Sequence, residues 1–372
     1  MTDHSNTTTD DEADALLLSG CPLIDVRAEI EFTRGSIPGS VNLPILNTAE
    51  RQQIGICYKQ QGQAAAIALG HQRVNGALRT QRTAAWCEFK QRHPDAKLMC
   101  WRGGLRSNTA AQWMHDEGTP IEVIAGGYKR LRGRLIRAIE VAAAQQNLFV
   151  IGGRTGSGKT PLINALQGGI DLEGLAHHRG SSFGRRALAP PTQIDFENRL
   201  ALKLLKTQYQ RAEQALFVED ESRQIGAVSV PHPLYLAMKA APLLVLEVPF
   251  EQRVEHILTE YCQSDLAEWQ RIDQTAGFEQ YAAYLLAALD RIRKRLGGGR
   301  HRQLRTIMQE ALQRQQRTGS IEAHRVWIQS LLGDYYDPLY EYQLAQHAER
   351  VVFSGDREAV IEWCNAHRFS SG

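Results

Sequence analysis

The chain lacks closely spaced cysteine pairs. Its six cysteines, Cys21, Cys57, Cys87, Cys100, Cys262 and Cys364, are scattered over 372 residues. That argues against a zinc module and a disulfide framework, and it points to a reducing cytoplasm. A long apolar run is missing too. The most apolar stretch, residues 241–250, is too short to span a bilayer, so no membrane partner is expected. Residues 1–13 are polar and acidic, without the basic-then-apolar order of a signal peptide, and read as a disordered leader. Net charge is almost absent, with 43 Lys and Arg against 41 Asp and Glu. Contact with nucleic acid must therefore come from local basic patches rather than a global field. There is no internal repeat and no low-complexity tract.

What is present is alternation. Short apolar runs at 22–27, 41–43 and 96–100 alternate with turn chemistry at Gly35-Ser36-Ile37-Pro38-Gly39-Ser40 and with helical patterns over 47–91 and 107–117. This predicts a first α/β unit over 14–137. A basic helical connector is expected over 138–146. A second α/β unit over 147–372 has candidate strands at 148–151, 215–218 and 243–246. After about Val254 the pattern is nearly all helical, broken at Gly297-Gly298-Gly299.

Two motifs carry chemistry. The first is Met99-Cys100-Trp101-Arg102-Gly103-Gly104-Leu105-Arg106-Ser107, at the end of a predicted strand, where open α/β sheets place ligands. The glycine pair lets backbone N–H groups converge on an anion. A helix start with Arg102 and Arg106 nearby would lower the Cys100 pKa and make it a nucleophile. Asp25-Val26-Arg27, the Gly35-to-Asn42 turn and this loop together resemble the rhodanese fold. Arg106 stands six positions after Cys100, however, giving a C-x5-R spacing similar to that of dual-specificity phosphatases. Met99 stands where a histidine commonly precedes the cysteine in those enzymes.

The second motif, Gly153-Arg154-Thr155-Gly156-Ser157-Gly158-Lys159-Thr160, is a complete phosphate-binding loop behind a predicted strand. Gly153, Gly156, Ser157 and Gly158 let the backbone wrap phosphate oxygens, Lys159 adds a point charge, and Thr160 can reach Mg2+. No fixed protein metal site is otherwise expected. An acidic partner should end a later strand, and either Glu219 or Asp220 fills that place. Pro249-Phe250-Glu251-x-Arg253 is similar to a turn of small P-loop kinases, so the unit reads as kinase-like.

Longer strings sharpen this. Cys57-Tyr58-Lys59-Gln60-Gln61-Gly62, Gly126-Gly127-Tyr128-Lys129, the run from Asp171 to Gly184, Glu219-Asp220-Glu221-Ser222-Arg223 and Tyr335-Tyr336-Asp337-Pro338 resemble the family of bacterial tRNA 2-selenouridine synthases over nearly the whole chain. The resemblance implies a rhodanese-like domain followed by a P-loop α/β domain with a helical C-terminal region. It implies that wobble 2-thiouridine (position 34) in a tRNA anticodon loop is S-geranylated from geranyl diphosphate. The geranylthio group is then replaced by selenium from selenophosphate, with Cys100, Arg102 and Arg106 handling selenium. Arg179 and Ser181 become diphosphate contacts. No tightly bound cofactor is implied beyond Mg2+, and an enzyme that makes selenophosphate is a natural partner. Oligomeric state is not legible. Candidate RNA contacts are Lys129, Arg130, Arg132 and Arg134, with Arg293, Lys294 and Arg295. The motifs alone also fit a sulfurtransferase or C-x5-R phosphatase fused to a P-loop kinase, active without tRNA. A non-enzymatic RNA adaptor is argued against by the intact Lys159-Thr160 and the three carboxylates that follow the strand.

Overall fold

The computed structural model describes residues 4–145, 147–210 and 215–367, with side chains from residue 10. Two compact units divide the chain: Met1–Val141 with Thr192–Tyr209, and Ala142–Pro191 with Gln210–Gly372.

The first unit opens with α1 (His4–Ser19). The expected disordered leader is thus corrected from residue 4 onward; residues 1–3 lie outside the described residues. The cause is charge complementarity. Glu12 pairs with Arg130 at 3.0 Å, Asp14 with Arg134 at 2.6 Å, and Asp10 with Arg137, while Ala13 and Leu17 are buried. There follow β1 (Leu23–Asp25), α2 (Glu29–Phe32), β2 (Ser40–Asn42), α3 (Thr48–Arg73), α4 (Gly76–Arg92), β3 (Lys97–Met99), α5 (Leu105–Asp116), β4 (Glu122–Val123) and α6 (Gly127–Ala144). The sheet order is β2-β1-β3-β4, with all pairs parallel. Its core gathers Ile24, Leu98, Trp86, Ala110 and Met114. In α3, Gly62 adopts φ 84°, a left-handed value that breaks the helix into two arms. The expected helical connector, residues 138–146, is for the most part the end of α6, and Ala138, Ile139 and Ala142 on it are buried.

The second unit continues with β5 (Leu148–Gly153), α7 (Lys159–Ala165), β6 (Gly169–Ile170) and α8 (Leu172–Ala176). The chain then returns to the first unit as α9 (Gln193–Gln210). There Asp195 accepts from the Ser36 backbone N–H (2.8 Å) and hydroxyl (3.0 Å), Asn198 donates to the Ser36 carbonyl (2.6 Å), and Arg132 pairs with Glu197. A sequence reading of one continuous second domain does not foresee this interleaving, because the bonds join residues about 160 positions apart. After α9 come β7 (Leu216–Glu219), the antiparallel pair β8 (Gln224–Ile225) and β9 (Val228–Ser229), α10 (His232–Ala240) and β10 (Leu243–Leu246). A helical region from Phe250 packs around Tyr281, Leu285, Met308 and Trp327. Beyond about Val254, where nearly all helix is expected, the chain also forms β11 (Val351–Gly355), which pairs parallel with β10. Its short apolar run gives too little alternation to stand out from the helices before it. The sheet order is β11-β10-β5-β7-β6, all parallel. All six cysteines are free. Among the described residues, no helix is long and apolar enough to cross a membrane.

Candidate active sites

In the first unit Cys100 follows β3 directly and is nearly buried. Burial alone would raise its pKa. Hydrogen bonds from the Ser107 side chain and from the backbone N–H groups of Arg102, Ser107 and Gly104 outweigh that and bring it below the ordinary thiol value. The Cys100 Sγ lies 3.2 Å from Ser107 Oγ, which is 2.9 Å from the Gly104 carbonyl. The loop's tightness depends on glycine. At Gly127 (φ +53°) a Cβ would sit 2.3 Å from the Cys100 carbonyl oxygen, and at Gly103 (φ +65°) 2.3 Å from that of Ile124. Tyr128 then donates its N–H to the Cys100 carbonyl at 2.9 Å. The Tyr128 ring stacks on half-exposed Trp101 and carries the Arg27 guanidinium 3.7 Å from its centroid. Arg27 is itself locked to buried Asp25 at 2.7 Å.

The two loop arginines part company. Arg102 is exposed. Arg106 turns to Glu31, at 2.6 and 3.3 Å, and Arg51 reaches the same carboxylate at 3.1 Å. Burial pushes the Glu31 carboxyl up, yet these two arginines hold it below its ordinary value. The Cys100 thiolate is therefore stabilised by N–H dipoles and a hydroxyl rather than by the expected guanidinium pair. A loop that clamps phosphate through its C-x5-R arginine would aim that group inward, so this arrangement weighs against the phosphatase reading.

In the second unit the loop after β5 wraps a polar cavity of about 280 Å³, which also takes in Arg179, Ser181, Asp220 and Tyr340. Gly156 (φ +81°) has no room for a side chain, since a Cβ would stand 2.9 Å from the Arg253 carbonyl oxygen. Lys159 Nζ donates to the Gly153 carbonyl at 3.0 Å, and Thr160 Oγ1 donates to Glu173 Oε2 at 3.1 Å. Among the described residues, the buried Ser157 Oγ and Tyr340 hydroxyl of this wall have no hydrogen-bond partner, an arrangement suited to a polar ligand. Arg179 forms a bidentate pair with Asp265 at 2.8 Å and lies 4.8 Å from the Tyr261 ring centroid. It stays charged, because Asp265 overcomes the effect of burial.

The acidic partners differ in place. Glu219 is fully buried outside the cavity wall and accepts the Leu172 N–H at 2.7 Å; burial, then Asp171 and Glu173, push its carboxyl well up. Asp220 lines the cavity, 3.8 Å from Lys239. Glu173 and Glu221 were not singled out by the sequence reading, yet both line the cavity and hydrogen-bond each other. Burial raises both: at Glu173 Asp171 adds to it while Lys159 and the Glu221 hydrogen bond oppose it, and at Glu221 the neighbouring Glu173 carries the carboxyl up to about 8, so near neutral pH the pair shares a proton. The signal lay in the Asp171–Gly184 run, but only the fold brings Glu173 to Thr160. Thr160, Glu173 and Glu221 supply the hard oxygen donors that suit Mg2+ in partnership with phosphate oxygens and water. Among the described residues no group of three or more acidic, His or Cys side chains forms an all-protein metal cage.

Of the RNA candidates, Arg130 and Arg134 are paired with α1, and Arg132 with Glu197 and Asn198. Lys129, Arg293, Lys294 and Arg295 are exposed.

Comparison with known proteins matches residues 9–133 to the rhodanese-like domain and residues 146–370 to the tRNA 2-selenouridine synthase AAA domain. The tRNA 2-selenouridine synthase of Cupriavidus necator is 49% identical over 358 residues, covering 96% of this chain and 97% of that protein. Those of Pseudomonas fluorescens and Bordetella petrii are each 48% identical, covering 94% of this chain and 95% and 93% of their own lengths.

Proposed function

Because the chain belongs to the tRNA 2-selenouridine synthase family, we propose that it converts wobble 2-thiouridine of tRNA to 2-selenouridine in two steps, one at each site. The observation that carries this reading is the pairing, in one chain, of a dipole-stabilised Cys100 with an intact phosphate loop facing a proton-sharing carboxylate pair.

In the first step the thiouridine sulfur attacks C1 of geranyl diphosphate. A C–S bond forms, the C–O bond breaks, diphosphate leaves and the base loses a proton. Lys159 and the N–H groups around Gly156 and Gly158 hold the negative charge that grows on the leaving group. Mg2+, held by Thr160 with Glu173 and Glu221, would neutralise more of that charge. Arg179, paired with Asp265, keeps its positive charge in the cavity wall. In the second step selenium from selenophosphate forms a bond to C2 and the geranylthiol leaves. Hydrolysis of the P–Se bond then gives selenouridine and phosphate. Alkylation matters because sulfur of the free thiocarbonyl is a poor leaving group. We assign selenium handling to the Cys100 loop, whose N–H groups form an anion nest. The substrate RNA presents an unpaired anticodon loop, whose bases can be splayed out, and Lys129, Arg293 and Lys294 offer exposed cations for its phosphates. The reaction belongs to the cytoplasm, supplied by an enzyme that makes selenophosphate.

The test is nucleoside mass spectrometry of 2-thiouridine tRNA incubated with the protein, geranyl diphosphate and Mg2+, then with selenophosphate. A geranylthio nucleoside that converts to selenouridine is expected. An unchanged thiouridine with folded protein and bound tRNA contradicts the reading.

A further inference from the structure

A large apolar space lies in the first unit. A cavity of about 620 Å³ is walled by Ile54, Ile56 and Ile67 on the two arms of α3 and by Leu105, Thr109 and Trp113 on α5. Its volume is in the ~300–1,000 Å³ range of small-molecule sites. Leu105 is 54% exposed and Ile56 48%; water leaves such surface readily when an apolar group replaces it. The Gly62 break folds the α3 arms toward each other, so that a Cβ on Gly70 would come within 3.7 Å of Ile54 Cδ1. The cavity's α5 wall starts at Leu105, directly after the Cys100 loop. At the rim, Arg51 and Arg106 share the single carboxylate of Glu31, and Lys59 adds another cation. The space is therefore greasy inside and positive at the mouth, and its α5 wall follows the Cys100 loop in the chain. By contrast, the apolar recess beside the phosphate-loop cavity holds only about 20 Å³.

We propose that this cavity receives the geranyl chain of S-geranylated thiouridine RNA and so presents C2 of the base to the Cys100 loop for selenium exchange. The assignment rests on the two-step reading above and gives its second step a substrate subsite. The rim cations face the RNA phosphates, and the apolar wall selects the alkylated base over the unalkylated one.

The probe is synthetic anticodon-stem-loop RNA carrying S-geranyl-2-thiouridine, compared with the same RNA carrying S-methyl-2-thiouridine, in titrations with the full chain. The geranyl RNA should bind about tenfold or more tightly, given nine additional carbons to bury. Ile67→Trp, which fills the cavity, and Ile54→Asn, which makes it polar, should each remove most of that preference while thermal unfolding stays close to that of the parent. A preference absent from the parent, or intact in both folded variants, overturns the assignment. Geranyl diphosphate alone forms the second arm. Its affinity should survive both variants and fall in Lys159→Ala, and loss in the cavity variants instead would move the cavity to the first step and overturn the proposal. Because the RNA is alkylated chemically, these results are independent of whether the protein itself geranylates. That separate failure would appear only in the nucleoside assay.

Discussion

Ser107 has one hydroxyl proton and two acceptors within reach, the Gly104 carbonyl at 2.9 Å and Cys100 Sγ at 3.2 Å. While Cys100 is a thiol, the thiol can donate to Ser107 Oγ and the hydroxyl to Gly104. On ionisation the hydroxyl can swing to the sulfur, which favours the thiolate. Ser107→Ala removes that donor, so the pH midpoint of selenium exchange should move to higher pH, read from initial rates across a pH series. A midpoint that stays or falls would show that the backbone N–H groups suffice. At the other site, burial and then the neighbouring Glu173 push the Glu221 carboxyl from an ordinary 4.5 up to about 8. A raised carboxyl binds its proton more tightly when folded. Its contribution is therefore full below about pH 4.5 and lost as pH rises through about 8. Glu221→Gln should flatten the decline in unfolding temperature over that window, and an unchanged slope would contradict the proton-sharing pair. Sequence alone could propose Cys100 and Lys159, because each stands in a contiguous motif. It could not reveal that Arg106 turns to Glu31, 75 positions earlier, or that Glu173 and Glu221 meet.

Among the elements, the segment from Gly126 to Tyr128 braces the Cys100 loop by backbone contact rather than by side chains. Gly127→Ala would place a methyl group 2.3 Å from the Cys100 carbonyl oxygen at a φ of +53°. Left-handed strain of this kind costs ~1–3 kcal/mol, and the clash adds to it. Thermal unfolding should fall, and selenium exchange should fall further than geranylation; equal losses in both steps would mean a global defect. Parallel strands buried on both faces, such as β1 and β5, are easy to read because they appear as short apolar runs. α1 and β11 were obscured for different reasons. The first is polar and gains its place through ion pairs with α6. The second is five residues long and finds its partner strand across about a hundred residues of chain.

For the whole molecule, interleaving is the consequential feature. The first unit needs α9, which is encoded after the phosphate loop. A fragment ending at residue 145 should therefore unfold at lower temperature and be cleaved faster by protease than the same region in the full chain, and equal resistance would contradict the structural need for α9. The two-site account makes its sharpest claim about separation of steps. The most direct measurement is nucleoside mass spectrometry of 2-thiouridine tRNA treated with Cys100→Ser and, separately, with Lys159→Ala. Cys100→Ser should accumulate the geranylthio nucleoside without selenouridine, while Lys159→Ala should slow geranylation itself by about 10²–10³-fold. If folded Cys100→Ser protein formed no geranylthio nucleoside either, the division of labour between the two sites would be wrong.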